Sequence, residues 1–510
     1  MTESRDLRIR RLCFIFLCTA VFTLLSHSYR YLSMSFSGDA MLLSQTGEEL
    51  YQTSLGRFLQ PVYWQIRGYI TAPLLIGLFA TAFLALSSAI IIHLFSITRP
   101  VHIALLCGLL AANETMAVSN ATYLPWTDVY MLSMLFCVLG VLVSFRYARG
   151  WLVSPLLYFL SLGLYQSYLP VSSTLVILLL LFETLRGGSL KSIWQRGIKA
   201  CISLVAGLLL YALVLRIVLS ITGTEASTNY NGVGRVGIPA LHEIPGLLID
   251  TYLTPLRLLF VPDAPVMSWH VTTVPAELHI MLFSAAAILL LRRVHPLGIY
   301  AKLTVLFLLG ILPLGMNFVQ FIAKGTVSGL TIYAYHLLYL LPIALIDESS
   351  LSAGNLMRKV FGFCRAACIC LLSVLLALNI RVSNQLAVKR DLEYYATTSA
   401  MARLLDRAEQ TQGYVPGETP VVLISMLPSS AISAERPGFE TLAKAQGMRY
   451  TYGAAYETSN YWYLQMALGD PINLVSHPQR VELSKNAANL PHFPAEGCCQ
   501  MIDGYLYLKL

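Results

Sequence analysis

Long apolar runs recur along most of this chain, and they constrain its fold more than any other feature. Each run is close to the ~20 residues that an α-helix needs to cross a bilayer, and short basic or polar segments separate the runs. Only 12% of the 510 residues are charged, whereas about a quarter are charged in a typical soluble domain. The sequence therefore predicts an all-α polytopic membrane domain of about 11 transmembrane helices. The runs cover about residues 11–30, 71–97, 101–118, 124–145, 152–168, 171–186, 200–222, 275–291, 303–321, 331–347 and 360–380.

The fifth and sixth runs are short, and Tyr168-Leu169-Pro170 separates them. This pattern fits either a tight helical hairpin or a partly re-entrant pair. Whether both runs cross the membrane is left open by the sequence.

The distribution of Lys and Arg predicts the orientation of the runs. If the N-terminus is cytoplasmic, the connections on its side carry 16 basic residues and those on the opposite side carry 6. Basic residues are enriched in short cytoplasmic connections, so we expect an odd number of spans with the C-terminal tail outside. No small-x-small cleavage site follows the first run, so that run should remain as an anchor.

Three segments on the outer side are long enough to carry function. They are the first loop, residues 31–70, the middle loop, residues 223–274, and the tail, residues 381–510. The sequence thus divides into a membrane domain, residues 1–380, and a tail domain.

Patterning in the tail predicts a small α/β domain. An amphipathic helix is expected through Leu386, Leu392, Met401 and Leu405, and a strand over residues 420–426. A second strand-like segment ends the chain after a turn at Asp503-Gly504.

Motifs for nucleotide binding are missing from the sequence. It contains no GxxxxGK[ST], no GxGxxG that opens a helix, no DxD pair and no HExxH, so nucleoside phosphates have no recognisable site. The net charge of +8 lies beside the apolar runs, with 24 basic against 15 acidic residues before residue 381. That excess is a topology signal and does not require nucleic acid. An enzyme of this kind would act on the outer side, on a group carried by a lipid.

Four short motifs carry a family resemblance. The motifs are Asp39 with Leu55-Gly56-Arg57-Phe58, Gly163-Leu164-Tyr165-Gln166-Ser167, residues 491–497 (PHFPAEG), and Met501-Ile502-Asp503-Gly504 with Leu508-Lys509-Leu510. With them the chain resembles the Gtr-type integral-membrane glucosyltransferases that modify bacterial O-antigen, within the lipid-dependent GT-C class. One departure is that Asp39 is followed by Ala40, where the family tends to have an acidic doublet.

The resemblance implies a GT-C-like fold and an activity. Such relatives transfer a hexosyl residue, here a glucosyl residue, from polyprenyl phosphate to a lipid-linked O-antigen or another surface glycan on the periplasmic face. No metal or other cofactor is implied, and the partners are the lipid-linked donor, the glycan acceptor and membrane lipid. The resemblance also implies a bacterial inner-membrane location and a functional link to a donor synthase and a flippase.

The chemistry of this transfer calls for one carboxylate and several cations. A sugar hydroxyl is a weak nucleophile, so a positioned base should take its proton, whereas a departing phosphate needs cationic stabilisation and no acid. Asp39 alone would fit an N-cap for a helix that begins at Ala40. The resemblance makes Asp39 the expected base, with Glu48 in reserve.

Further residues are candidates for substrate binding, each with a structural alternative. Arg57 would contact the donor or the acceptor, or only extend to the interface. Arg216 lies within a span, where an arginine costs roughly 2.5–3.5 kcal/mol at the centre, so it would contact a lipid phosphate or extend to the outer interface. Asp128 would pair with such a cation or hold a sugar hydroxyl. Tyr165 and Gln166 would bind sugar, although a tyrosine at the interface is common. The substrate-binding set is Glu48, Arg57, Asp128, Tyr165, Gln166, Arg216 and Lys324.

Two other functions stay open at this point. A flippase or transporter for a lipid-linked saccharide would show two related halves, and none is visible. An O-antigen polymerase or ligase would use a lipid diphosphate and paired arginines in an outer loop. The middle loop offers only Arg235 and Arg257.

Overall fold

The structure, a computed structural model, describes residues 5–35, 48–227, 240–261, 275–323, 327–347, 355–424, 468–469 and 471–510. Helices make up nearly all of the described ranges before residue 410. They are α1 (Arg5–Tyr31), α2 (Glu48–Ser54), α3 (Leu59–Arg67), α4 (Pro73–Phe95), α5 (Pro100–Ala111), α6 (Glu114–Thr122), α7 (Thr127–Arg146), α8 (Gly150–Leu164), α9 (Leu169–Leu185), α10 (Leu190–Thr222), α11 (Ile244–Phe260), α12 (Ala276–Val294), α13 (Ile299–Ala323), α14 (Tyr333–His336), α15 (Leu340–Asp347) and α16 (Asn355–Glu409).

Seven helical segments within the described ranges are long and apolar enough to cross a membrane. The bent pair α5–α6, which turns by 42°, adds an eighth if it counts as one span. The predicted all-α polytopic architecture is confirmed, while the count of about 11 spans stays a prediction. Three predicted runs form helices outside this set, because α8 and α14–α15 are short and α12 carries Glu277, Arg292 and Arg293 near its ends. The seven are Asp6–Tyr31, Pro73–Phe95, Leu124–Arg146, Gln166–Leu185, Leu190–Thr222, Ile299–Ala323 and Met357–Leu392.

The fifth and sixth runs form α8 and α9, joined by a 3₁₀ turn at Gln166–Tyr168. Helix α8 packs mainly against α7 and α10 and touches α9 only slightly. The two runs therefore do not form a tight hairpin.

The break between α5 and α6 exposes backbone groups that other helices satisfy. The Asn113 side chain caps α6 by accepting the N–H of Met116 at 3.0 Å. The Leu110 carbonyl accepts the hydroxyl of Tyr333 at 2.7 Å, and the Ala111 carbonyl lies 3.1 Å from His27 Nε2. An interrupted helix in an apolar bundle is stable only when such partners are supplied.

The bundle has two ends that differ in their side chains. At the N-terminal end, where α1 begins, Arg11 donates to the Ile97 carbonyl, and Arg186 donates to that of Phe95 at 3.0 Å. The connections that follow α4 and α9 therefore meet the start of the chain. We call the opposite end, where α1 stops and α2 and α3 lie, the first-loop end.

Helix α16 is a single element of 55 residues, and the predicted domain boundary at residue 380 falls inside it. Leu386 packs in the core of the bundle, whereas Met401 and Leu405 pack in the core of the tail. One helix therefore serves both cores.

The tail holds a four-stranded sheet of β1 (Pro420–Ile424), β2 (Asn473–Leu474), β3 (Cys499–Ile502) and β4 (Tyr505–Lys509). The strand order is β2-β1-β4-β3, with β1 parallel to β2 and β4, and β3 antiparallel to β4. Asp503 and Gly504 turn the chain with φ of 51° and 80°, as a two-residue hairpin requires. Helix α17 (His477–Leu483) contacts β1. Strands therefore form in both predicted segments, over Pro420–Ile424 and Tyr505–Lys509, while a separate periplasmic α/β domain stays a prediction.

Candidate active site

A tight turn at Gly56 ends α2 and sets the direction of Arg57. The Gly56 N–H donates to the Thr53 carbonyl, and the Arg57 N–H donates to that of Gln52, both at 2.9 Å. Gly56 has φ of +80°, the left-handed conformation that glycine adopts after a helix. A Cβ atom here would clash with the Tyr211 hydroxyl. The Gly-Arg step of the family motif is therefore a packing requirement as well as a turn.

Side chains from two other elements hold this turn in place. Gln166 Nε2 donates to the Leu55 carbonyl at 2.8 Å and to the Tyr211 hydroxyl at 2.9 Å. The Tyr211 hydroxyl donates to the Gly56 carbonyl at 3.0 Å, and its ring stacks on Phe58 with centroids 5.9 Å apart. Gln166 is a predicted sugar-binding residue, but in this structure its amide N–H groups donate to the turn and to Tyr211.

Arg57 lies at the centre of a buried polar row. Its Nη1 donates to Gln52 Oε1 at 3.0 Å, and Gln52 Nε2 donates to Glu48 Oε1 at 2.6 Å. The guanidinium carbon sits 4.8 Å from the Tyr165 ring centroid, a cation–π distance. Both Arg57 and Glu48 are buried. The structure therefore brings together four residues of the predicted set: Glu48, Arg57, Tyr165 and Gln166.

Tyr165 does not present an open face for a sugar in this structure. Its ring contacts Tyr130 at a centroid distance of 4.4 Å and Tyr168 at 5.8 Å, and the residue is only 3% exposed. It orients the Arg57 guanidinium.

Asp128 lies in a neighbouring buried ion pair with Arg67. Arg67 Nη1 donates to both carboxylate oxygens, at 2.7 and 2.9 Å, and to the Pro125 carbonyl at 2.9 Å. The Tyr63 hydroxyl donates to Asp128 Oδ2 at 2.9 Å. Burial and the nearby Asp128 charge raise the pKa of Tyr63, so its hydroxyl stays protonated and remains a donor. The cation that pairs with Asp128 is thus Arg67 and not Arg216.

The remaining predicted site residues lie apart from this group or outside the residues that the structure describes. Arg216 is exposed on α10, whose buried face consists of residues nearer its start. Asp39 and Lys324 fall outside the described residues.

The sequence alone did not mark Arg67 or a second set of charges at the first-loop end. Arg67 follows Tyr63 by four residues on α3, a spacing that places both on one helix face. Arg30, Lys389 and Arg390 are also buried. Lys389 and Arg390 fall within the predicted tail, residues 381–510, although no helix breaker separates them from the preceding apolar run.

The arrangement suits binding of a polar, anionic ligand at one end of an apolar bundle. A buried arginine whose side chain is already oriented can stabilise negative charge with little reorganisation. In the part of the chain that the structure describes, no cluster of three or more His, Cys, Asp or Glu residues could hold a metal ion.

A comparison with protein families finds a match to the family described as glucosyl transferase GtrII, over residues 31–346. This is more than half of the chain, and it includes the Gly56 turn, the Arg57 row and the Arg67–Asp128 pair. Comparisons with curated proteins and with solved structures gave no significant match.

Proposed function

The chain belongs to the glucosyl transferase GtrII family, and from this premise we propose that it transfers a glucosyl residue from polyprenyl phosphate to a lipid-linked O-antigen or other surface glycan on the periplasmic face. The protein is a glycosyltransferase with several membrane-spanning helices. The observation that carries the finer proposal is the buried row of Glu48, Gln52, Arg57 and Tyr165, at the end of the bundle opposite the N-terminal arginines. In this proposal that end lies outside the cytoplasm, the side that the positive-inside rule favours for it.

In the proposed reaction, an acceptor hydroxyl attacks the anomeric carbon of the lipid-linked sugar. A carboxylate takes the hydroxyl proton as the new C–O bond forms. The bond between the anomeric carbon and the phosphate oxygen breaks, and the phosphate leaves with the electron pair. We assign the base to Asp39 and keep Glu48, which is buried and close to Arg57 through Gln52, as the alternative.

The cations of the first-loop end support this reaction electrostatically. Arg57 is held by Gln52 and Tyr165, so it offers a positive charge to donor or acceptor with little reorganisation. In this proposal Tyr165 and Gln166 act by fixing the Arg57 turn, and Asp128 acts by fixing Arg67. Lys324 and Arg216 are proposed contacts of the anionic lipid carrier.

The direct test is an assay in membrane vesicles with polyprenyl-phosphate glucose and a glycan acceptor. Asp39→Asn should abolish transfer while membrane insertion stays intact, and Glu48→Gln should retain measurable transfer. Full activity of Asp39→Asn would refute this assignment of the base. Loss of transfer in Glu48→Gln, with transfer retained in Asp39→Asn, would assign the role of base to Glu48.

Surface polysaccharide tests the reaction type. Cells that lack the gene should lose one side-branch hexose, which composition and linkage analysis would detect. Shortened glycan chains would instead favour a polymerase or ligase. Movement of the donor across vesicles without transfer would favour a flippase.

A further inference from the structure

The inward side of α3 carries, at three successive positions, polar atoms that have no hydrogen-bond partner in the described part of the chain. Gln60, Trp64 and Arg67 are separated by four and three residues, so they share one side of the helix. Their exposures are 0%, 1% and 6%. We call these three residues the α3 polar face. Burying a polar atom without a partner is costly, so a partner must offset the cost at this face.

Gln60 contributes an acceptor to the α3 polar face. Its Nε2 donates to the Leu164 carbonyl at 2.7 Å, and because that partner can only accept, the amide nitrogen must face it. The Oε1 atom on the other side of the amide is buried and accepts no hydrogen bond from any described residue. The N–H of Gln60 donates to the Arg57 carbonyl at 3.0 Å, so the α3 polar face begins beside the Arg57 row.

Trp64 and Arg67 contribute donors. The indole Nε1 of Trp64 and the Nε of Arg67 are buried, and neither has a hydrogen-bond partner among the residues that the structure describes. Arg67 Nη1 already binds Asp128 and the Pro125 carbonyl, so Nε is a separate donor of the same guanidinium.

Trp126 adds a donor from a second element, the 3₁₀ turn Leu124–Trp126. Its ring centroid lies 6.4 Å from that of Trp64, and the two rings are inclined by 67°. Its Nε1 atom is also buried, again with no partner within the described ranges. The bond from Arg67 to the Pro125 carbonyl keeps this turn against α3. Three donors and one acceptor thus lie where α3 meets the turn.

This mixture of donors and one acceptor selects among ligands. The oxygens of an ionised phosphate or carboxylate can accept from indole and guanidinium N–H groups, but they cannot donate to Gln60 Oε1. A hydroxyl group both donates and accepts, so a ligand with several hydroxyl groups can meet all four atoms. Aromatic side chains with a few placed polar groups are also typical of small-ligand sites. The chemistry therefore fits a sugar.

The length of the α3 polar face and the opposite side of the helix favour the sugar of the donor over a glycan chain. The seven residues from Gln60 to Arg67 span about 10 Å along the helix, which is the scale of one hexose. On the outward side of α3, Val62 and Ile66 are 50% and 80% exposed. An apolar outer surface suits a sugar that arrives on a lipid.

We infer that the α3 polar face and Trp126 bind the hydroxyl groups of the glucosyl residue that the lipid-linked donor carries. The inference rests on the proposed function and divides the site between two tasks. The Arg57 row offers positive charge, and the α3 polar face with Trp126 recognises the sugar. Acceptor sugars have the same hydroxyl chemistry, and the experiment separates donor from acceptor.

Two half-buried tyrosines separate these atoms from the surface of the bundle. Tyr63 donates to Asp128 beside Arg67, and the Tyr123 ring centroid lies 6.4 Å from that of Trp126. In this proposal the sugar reaches the buried atoms past these two rings, while the Arg67–Asp128 pair stays intact.

The first measurement uses variants in vesicles. Trp64→Phe and Trp126→Phe remove the indole N–H and keep an aromatic ring. Each should raise the KM for polyprenyl-phosphate glucose about tenfold or more, while the inhibition constant of polyprenyl phosphate, which has no sugar, stays within about twofold of wild type. Trp194→Phe is the matched control, because Trp194 is exposed near the start of α10 at the N-terminal end, and it should behave as wild type.

Three outcomes of this measurement would overturn the inference. An unchanged donor KM in both variants would show that the indole N–H groups do not bind the sugar. An equal rise in the inhibition constant of polyprenyl phosphate would show that the variants disturb contacts of the lipid phosphate. A raised KM for the glycan acceptor, with an unchanged donor KM, would assign these residues to the acceptor.

The second measurement starts from the wild-type protein and needs no variant to fold. It compares donors in which the glucose lacks one hydroxyl group at a time. At least one such donor should have a KM about tenfold or more above that of the glucose donor, because a site that bonds a hydroxyl group leaves its own polar atoms unpaired against the analogue. Trp64→Phe or Trp126→Phe should lose part of this discrimination. Equal KM values for all these donors in the wild type would overturn the sugar site.

Failure of this inference and failure of the proposed function give different results. Wild-type transfer from polyprenyl-phosphate glucose, with no discrimination among the donors that lack a hydroxyl group, would overturn the sugar site and leave the proposed function standing. No wild-type transfer from the lipid-linked donor to any glycan acceptor would overturn the proposed function.

Discussion

The two ends of the helical bundle both carry charged side chains, but they use them differently. At the N-terminal end, Asp347 accepts the N–H groups of Thr98 at 2.9 Å and Arg99 at 3.0 Å, and it lies 2.8 Å from His102 Nδ1. These bonds satisfy backbone groups of the connection that leads into α5, as buried backbone groups require.

At the first-loop end, charged groups are buried and bind other side chains. Arg67 binds the carboxylate of Asp128, and Arg57 binds the Gln52 amide and the Tyr165 ring. Asp347 is buried as well, but two of its partners are backbone N–H groups, whereas Arg57 and Arg67 bind the side chains of Gln52 and Asp128. In the proposed function, the N-terminal end serves folding and the first-loop end binds the ligand.

The largest effect is expected from breaking the buried pair. Arg67→Ala should lower the free energy of unfolding by roughly 3–5 kcal/mol, because it leaves the Asp128 carboxylate buried without its cation. Chemical unfolding in detergent measures this. The double variant Arg67→Met, Asp128→Leu should recover most of the loss, and equal destabilisation in both variants would contradict the role of the pair.

A smaller effect is expected at the Gly56 turn. Gly56→Ala should cost about 2–3 kcal/mol and reduce transfer, because it combines a strained left-handed backbone with a clash against Tyr211. Gly187→Ala is the control at the N-terminal end. Gly187 has φ of +78° with no atom within 4 Å of an added Cβ, so the variant should lose only about 1 kcal/mol. Equal losses would show that the clash is unimportant.

Arg57→Lys should change function more than stability. The charge stays, but the planar contact with Tyr165 and the fixed donor to Gln52 are lost. The expected loss of stability is about 0.5–1 kcal/mol, with a clear fall in transfer rate in vesicles. Wild-type transfer would indicate that charge alone matters at this position.

The smallest effect on transfer is expected from Asp347→Asn. The amide keeps one acceptor oxygen and replaces the other with an NH2 group, so one of the two backbone N–H groups of Thr98 and Arg99 loses its acceptor, at a cost of roughly 1–3 kcal/mol in stability. The KM for the lipid-linked donor should be unchanged in the vesicle assay. A raised KM would contradict the interpretation that the N-terminal end takes no part in binding the donor.

Local patterns in the sequence predicted the elements well. Apolar runs marked the helices, and Asp503-Gly504 marked the hairpin between β3 and β4, because hydrophobic period and turn chemistry act over a few residues. The motif around Gly56 and the pair Tyr165-Gln166 also predicted residues that meet in space.

Pairings between distant segments could not be predicted in this way. Arg67 meets Asp128 across 61 positions, and Ser33 meets Asp391 across 358. Contacts between residues so far apart in the chain leave no periodic pattern in the sequence. The division at residue 380 followed the end of the apolar run, although Leu386 continues the buried face of the same helix. Asp39, the proposed base, lies outside the described residues, so its role stays a prediction.

The unbroken length of α16 has a mechanical consequence. A continuous helix of 55 residues extends for about 80 Å and transmits rotation without a joint. Leu386 in the core of the bundle and Met401 in the core of the tail lie on this one helix. A tilt of the sheet relative to the bundle would therefore require the helix to bend or to shift against α1, which it contacts.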